Sequence, residues 1–388
     1  LLVWCARQIV SGGPAEALPA DALDGVDWAD FLRESQRHSC LALAWRSLQA
    51  APALPAAVRT ELETAFAANA VRNLRLAGEL VTTTRRLAAV AVPAVSWKGP
   101  VLAERAYGDL RLRQFFDLDV LVRRADLTAA IKALGELGYR PQQAMTTRQQ
   151  AAYVDHMGEL ELVRDSDGTC LELHTAIVPT YFGRGRSADE LFAGTRPARV
   201  ARAEVLALDP VDELEALCVH GSKHRWERLE WIVDVAMLGR LLTSDDWATL
   251  YAGARRRGAR RMVDTAVLLA RTVTRARFAP GIVEAAEVDP TARRLASISR
   301  RRLFDPRAGR GDELLFHVQM WDTPLDQLRY LARVPTTPSV ADWEFLELPR
   351  VLAPLYVFVR PMRMAVEVLR HATRDRQGVT RHRGLGRR

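Results

Sequence analysis

With 388 residues, 48% apolar and 26% charged side chains, the chain has the composition of a folded globular protein and length for two or three domains. Its net charge of +8 suits anionic partners such as nucleotides, and nucleic acid as well. No uncharged apolar run approaches the roughly 18 residues of a membrane span, and Cys5, Cys40, Cys170 and Cys218 form neither a Cys-x-x-Cys pair nor a disulfide framework. These cysteines read as buried thiols in a reducing compartment, which points to a cytoplasmic protein. The sequence opens at Leu1 without methionine, which leaves the natural N-terminus open, and Leu1-Leu2-Val3-Trp4 is too short for a signal-peptide core. Lys98, Lys132 and Lys223 are the only lysines. An arginine-favouring genome accounts for the bias, and two of the three lysines fall within the motifs below.

In chain order, residues 1–90 read as a helical region. Trp28, Phe31 and Leu32, then Leu41 to Leu48, place apolar groups at helical spacing. After the break at Ala51-Pro52-Ala53-Leu54-Pro55, a long helix is expected from Ala56 to Ala89. His38 is expected to be a surface or core histidine without chemistry.

Val92-Pro93-Ala94-Val95 reads as a strand, and Lys98-Gly99-Pro100 as a turn into a helix carrying Val101, Leu102, Arg105 and Ala106. Backbone N–H groups at a helix start favour phosphate, Gly99 allows close approach, and Lys98 adds a point charge. Asp117-Leu118-Asp119 then opens the apolar run Val120-Leu121-Val122, a short buried strand ending at Arg123-Arg124. Side chains alternate, so Asp117 and Asp119 share one face. Two carboxylates there are costly unless paired. A divalent cation is the natural partner, and Mg²⁺ favours one or two carboxylates plus phosphate oxygens.

Arg124-Ala125-Asp126 starts a helix through Leu137 that Gly138 ends, and Tyr139-Arg140-Pro141 leads back toward the sheet. Gln142 to Ala152 is polar and alanine-rich, a further short helix. Glu159 to Val163 and Thr169 to His174 alternate around the turn residues Asp165-Ser166-Asp167-Gly168, which predicts a hairpin. Glu161 would then face Glu172, with Leu160, Leu162, Leu171 and Leu173 on the buried face. Like charges so placed need solvent or a cation. Residues 181–205, including Phe182-Gly183-Arg184-Gly185-Arg186, read as a loop or linker.

A helix over about 211–242 would place His220, Lys223, His224, Glu227, Trp231 and Asp234 within one arc of about 100°. That stripe reads as the lining of a cleft, and Trp226, off the stripe, as packing. His220 and His224 have the i, i+4 spacing of a zinc hydrolase, but Gly221 stands where its Glu belongs. Trp247, Leu250, Val263, Val267, Leu268 and Leu269 suggest two more core helices. The arginines of residues 274–312, including Arg293-Arg294 and Arg300-Arg301-Arg302, lack interleaved aromatics and read as a solvated helical face, so nucleic acid is disfavoured. From Arg374 onward the chain is expected to be disordered.

Lys98-Gly99, Tyr107, Arg111 or Arg113, Asp117-Leu118-Asp119-Val120-Leu121-Val122, Leu173-His174 and His220 through Trp226 follow one another in an order that resembles an uncharacterised nucleotidyltransferase family (NTP_transf_5) of the DNA polymerase β-like superfamily. The resemblance covers most of the chain, and Trp343, Leu346, Pro349, Leu355, Tyr356, Arg360 and Pro361 fit the family's C-terminal pattern loosely. It implies an α+β fold, a small mixed sheet with helices over residues 91–205. A helical region at 1–90, a larger helical domain at 206–372 and a basic tail at 373–388 would flank it. It also implies a third carboxylate beside the Asp pair, with Glu172 the best match and Glu161 the spare. Thr175 stands where the family carries Trp after His174.

The activity so implied is transfer of a nucleoside monophosphate from an NTP to an acceptor on a small molecule, peptide or protein, with release of pyrophosphate. Asp117, Asp119 and Glu172 would be catalytic and would hold two Mg²⁺ ions, Mn²⁺ being the alternative. Lys98, Gly99, Arg113, His174, His220, Lys223, His224 and Asp234 would bind the nucleotide. The competing expectation is a non-catalytic nucleotide sensor or toxin–antitoxin partner on the same fold, because Gly99-Pro100 replaces the superfamily's Gly-Ser turn.

Overall fold

The computed structural model describes residues 1–12, 23–179, 182–183, 185–305, 312–337, 340–346, 355–363 and 366. Four helices come first: α1 (Leu2–Ser11), α2 (Trp28–Arg37), α3 (Leu41–Leu48) and α4 (Ala56–Ala89). α4 has the bounds that the sequence suggests and, at 1.5 Å per residue, is about 50 Å long. There follow β1 (Val95–Trp97), the short α5 (Gly99–Leu102), β2 (Asp117–Leu121), α6 (Leu127–Gly135), β3 (Tyr139–Pro141) and α7 (Thr147–Met157). β4 (Glu159–Arg164), β5 (Cys170–His174), α8 (Ala188–Ala193), β6 (Arg196–Val200) and β7 (Ala203–Ala207) complete the sheet region. The remainder is helical: α9 (Pro210–Lys223), α10 (Leu229–Gly239), α11 (Ser244–Arg257), α12 (Arg260–Leu269), α13 (Ile282–Glu287), α14 (Pro290–Phe304), α15 (Glu313–Met320), α16 (Pro324–Thr336) and α17 (Val340–Phe345).

The expected α+β class holds. The seven strands form one mixed sheet in the order β3-β4-β5-β2-β1-β7-β6. β2 runs parallel to β5 and β1 to β7, and the other neighbours are antiparallel. One face is apolar: Leu118, Val120, Leu160, Leu162, Leu171 and Leu173 are buried against Leu76, Leu80 and Leu87 of α4 and Ala130 and Leu134 of α6. A second core joins the two ends of the chain, packing α1–α3 and the start of α4 against α9–α12 and α14.

Midway along α4, polar side chains reach the loop that leads into β2. Asn69 Nδ2 donates to the Arg111 carbonyl (2.8 Å), Asn73 Nδ2 to the Arg113 carbonyl (2.7 Å) and Arg72 Nε to the Phe115 carbonyl (3.1 Å). Buried amides placed this way satisfy backbone groups that would otherwise be orphaned. They also fix where β2 begins.

Two expectations need correction. Residues 181–205 are more than a linker, since they contain α8 and the β6–β7 hairpin. Arginines and a proline along this edge pair obscure its alternation, and only Val200, Val205 and Ala207 reach the core. The helix expected over 211–242 is two helices, because Arg225 (φ 55°) and Trp226 (φ 58°) turn left-handed between α9 and α10. Trp226 is fully buried, as its packing role requires. It lies over Gly221, where a Cβ would come within 2.4 Å of the indole. Arg184, Pro306, Pro349 and the tail at 373–388 lie outside the described residues.

His38 is a core residue. Its Nδ1 accepts the N–H of Leu229 (3.1 Å), the first residue of α10, and so supplies that helix with a cap. Burial and Arg37, opposed by Glu34, push its pKa down to about 4.

Two outcomes follow. Gly221→Ala should cost about 1–3 kcal/mol by overpacking against Trp226, read from chemical unfolding. His38 binds no proton in the folded state at pH 5 but does so when unfolded, so its contribution is present above pH 6.5 and lost on acidification toward 4. Between pH 7 and 5 the wild type should therefore lose about 2 kcal/mol more than His38→Gln. Equal losses would discharge His38 from this role.

Candidate active site

The register of β2 and β5 sets Asp119 beside Glu172 and Leu121 beside His174. Alternation then puts Asp117, Asp119, Glu172 and His174 on the sheet face away from α4. Antiparallel β1 brings Trp97 next to Asp119, and β4 brings Glu161 opposite Glu172 and Glu159 opposite His174. Glu172 is thus the carboxylate adjacent to the Asp pair. Glu161 lies one strand farther out, where it accepts from the Cys170 thiol (3.3 Å).

His174 ties this group together. Its Nε2 is 3.0 Å from Asp119 Oδ1 and 3.3 Å from Glu172 Oε2, and its Nδ1 is 3.7 Å from Glu159 Oε2. Its ring meets Trp97 edge-on at 5.4 Å. Burial disfavours an imidazolium here, but the bonds to Asp119 and Glu172 outweigh it and lift the pKa to about 10. Asp119 is buried too, yet Lys98 and His174 hold its carboxyl below the usual range. Asp117 is pushed up to about 6 by burial and by the charges of Asp119 and Glu172.

Lys98 reaches the same carboxylate from the other side. Its Nζ is 3.6 Å from Asp119 Oδ1, 3.3 Å from His220 Nδ1 and 4.1 Å above the Trp97 ring. The backbone that aims it there is strained: Lys98 has φ 52° and ψ −143°, and Gly99 has φ 39°. A side chain in that region is uncommon and persists where its surroundings hold it. Here the Lys98 N–H donates to Glu213 Oε1 (2.8 Å), and Glu213 is itself fully buried and paired with Arg105. Arg105 can reach because α5 widens into a π-helical turn over Ala103–Tyr107.

α9 and the start of α10 form the opposite wall. His220 and His224 lie 4.7 Å apart, and Trp231 packs on both at 5.2 and 5.3 Å. Burial and the nearby cations hold both imidazoles neutral, His220 well below its usual value and His224 at about 4. Because Lys98 donates to His220 Nδ1, the His220 proton sits on Nε2, a donor. Burial also lowers the pKa of Lys223, which feels Glu159 and Glu172 across the cleft.

The helix break at Arg225 and Trp226 redistributes the expected stripe. Glu227 turns to the surface and pairs with Arg225. Asp234 is fully buried and takes two nitrogens of Arg113, Nε at 3.0 Å and Nη2 at 3.0 Å, with the Tyr107 hydroxyl at 2.6 Å. Arg113 and Asp234 therefore meet each other, while exposed Arg111 pairs with Asp109. Trp97, Glu159 and Glu213 carry much of the geometry and were not singled out by motif. Glu213 had a signal, since it precedes His220 by two helical turns on the same face of α9.

The family model described as an uncharacterised nucleotidyltransferase matches residues 24–275, more than half of the chain. No curated protein matches. Among solved structures the chain is similar to the antibiotic-resistance factor ANT(2'')-Ia, at 13% identity and TM-score 0.33 over 46% of this chain and 92% of that one. It is also similar to an antigenic nucleotidyltransferase-like protein from Paracoccidioides brasiliensis, at 14% identity and TM-score 0.32 over 55% and 97%.

Stability measurements separate the two kinds of acidic residue. Asp234→Ala strands the buried Arg113 guanidinium and should cost about 3–5 kcal/mol. Glu172→Gln gives up an ion pair with His174 but also relieves like-charge repulsion with Asp119, Asp117 and Glu161, so its thermal midpoint should stay close to that of the wild type. A large loss in Glu172→Gln would make Glu172 a structural residue.

Proposed function

Since the chain belongs to the family of uncharacterised nucleotidyltransferases, we propose that it moves a nucleoside monophosphate from an NTP to a hydroxyl-type acceptor, with release of pyrophosphate. The observation that carries the metal dependence is the donor set on the sheet. Ligand atoms of Asp119, Glu172 and His174 lie within 4.8 Å of one another, with Asp117 two residues along β2. Two carboxylates and an imidazole fit a divalent cation, which would displace the proton that His174 Nε2 shares with Asp119 and Glu172, and the nitrogen donor suits Mn²⁺ as well as Mg²⁺. Two ions held by Asp117, Asp119 and Glu172 would supply charge neutralisation for in-line displacement at the α-phosphorus.

The protein's own groups do the rest. Lys98 lies between the carboxylates and His220, so its ammonium is placed to meet the phosphate chain where pyrophosphate departs. The turn at Gly99 sets the direction in which Lys98 enters the cleft. His220 Nε2–H and Lys223 offer further donors from the opposite wall, and Trp231 holds the two imidazoles in place. Arg113 acts at one remove, by fixing the loop before β2 to α10 through Asp234. Among the described residues no helix is long and apolar enough to cross a membrane.

The test is calorimetric titration of each NTP, in non-hydrolysable form, with and without Mg²⁺ or Mn²⁺. Wild type should bind at least one nucleotide in a metal-dependent way, and Asp119→Ala should lose that binding. Equal binding by the two proteins, or none with any nucleotide, would overturn the metal-dependent reading.

A further inference from the structure

Among the described residues α4, 34 residues long, is covered on one side only. Leu62, Leu76, Leu80 and Leu87 are buried in the two cores, and the helix lies on the sheet face opposite the carboxylates. Its outer face carries a row of exposed residues, Thr60, Thr64, Ala67, Val71, Leu74 and Gly78. Val71 and Leu74 are 70% and 62% exposed.

Single apolar side chains on a surface are ordinary. Three features set this row apart. First, its spacings are four, three, four, three and four residues, the 3.5-residue period of a seam between two paired helices. No charged residue falls on the row, in a chain whose residues are 26% charged. The hydroxyl of Thr60 is spent on its own helix, Oγ1 donating to the Ala56 carbonyl (3.1 Å). Second, Gly78 stands in the middle of a helix, where glycine is less stable than alanine. A Cβ at Gly78 would meet nothing within 4 Å, so no contact inside the protomer asks for glycine. Close approach of another helix does ask for it. Third, the row is complementary to itself. Turned end for end about a two-fold axis at the level of Asn69, it sets Ala67 against Val71, Thr64 against Leu74 and Gly78 against Thr60, a smaller residue facing a larger one each time. The same rotation lays Glu61 beside Arg75, since both are exposed on one flank of the row. Among the described residues Glu61 makes no ion pair, and Arg75 meets Asp167 and Thr169 through Nη1, with further N–H groups to offer.

From these observations we infer that the outer face of α4 is an interface at which two copies of this chain pair, antiparallel and two-fold symmetric. From Thr60 to Gly78 the seam runs about 27 Å. That is short for a permanent assembly and suits a reversible dimer. Because α4 lies behind the sheet, the cleft of each copy stays open in the pair.

The experiment is sedimentation velocity on the full chain, from about 1 to about 200 µM. Wild type should pass from monomer to dimer across that range. Val71→Glu/Leu74→Glu should stay monomeric throughout and keep its thermal midpoint in dilute solution, since neither side chain is packed within the protomer. Gly78→Gln separates pairing from folding: better helix propensity should raise the midpoint of the dilute protein, while bulk in the seam weakens association about tenfold or more. Glu61→Arg, which sets arginine against Arg75 across the axis, should weaken association about fivefold. Glu61→Arg/Arg75→Glu should restore it, because the exchanged charges again face each other. A wild type that stays monomeric, which would leave the face to a different protein, would overturn the inference. So would association that survives Val71→Glu/Leu74→Glu, or that the charge exchange fails to restore.

Discussion

A carboxylate taken out of water must meet a cation or a set of donors, and this one requirement places the halves of the molecule relative to each other. Glu213 and Asp234 come from the C-terminal helices and are fully buried in the territory of the sheet. Among the described residues Glu213 is satisfied by the Lys98 N–H and Arg105, and Asp234 by Arg113 and Tyr107. All four partners lie between β1 and β2. The helices can therefore dock in one position, the one that sets His220, His224 and Trp231 across from Asp119 and Glu172. A shift of an ångström would leave a charge unpaired at several kcal/mol.

The same accounting runs through the cleft. Asp119 and His174 are each almost fully buried and each satisfied by groups of opposite charge, while Lys98 spans from Asp119 to a neutral imidazole. Charge is thus concentrated on the sheet side and diluted on the helix side. Lys98 on the sheet side and Lys223 on the helix side put a lysine on each wall. Strain at Lys98 is tolerable because Glu213 grips its backbone, so one buried carboxylate stabilises the conformation of the lysine that reaches another, Asp119.

Much of this was legible in the sequence, for reasons of period. The alternation in Glu159–Val163 and Thr169–His174 specified both the hairpin and the pairing of Glu161 with Glu172, because a slip of one residue would have exposed four leucines. β2 was legible from its β-branched run, and α4 from the break at Pro55. What escaped depended on contacts between distant segments. The left-handed residues Arg225 and Trp226 carry no turn signature, since neither is Gly, Asn or Asp. They are held there by Trp226 packing over Gly221. Helical spacing grouped Asp234 with His220, whereas the break turns it toward Arg113, more than a hundred residues earlier. β6 and β7 were hidden because an edge pair with one solvated face has little need of apolar residues.

The two cores make different demands on synthesis. The sheet and its covering helices are contiguous in the chain, and their apolar face can close as soon as β7 has been made. α1–α3 pack on one another and on the start of α4, but the rest of the surface they bury belongs to α9–α12 and α14. While the chain is being made, these helices wait as exposed apolar segments until synthesis has passed Pro210 and well beyond. α4, anchored in both cores, is the tether that keeps them close to where those surfaces will appear.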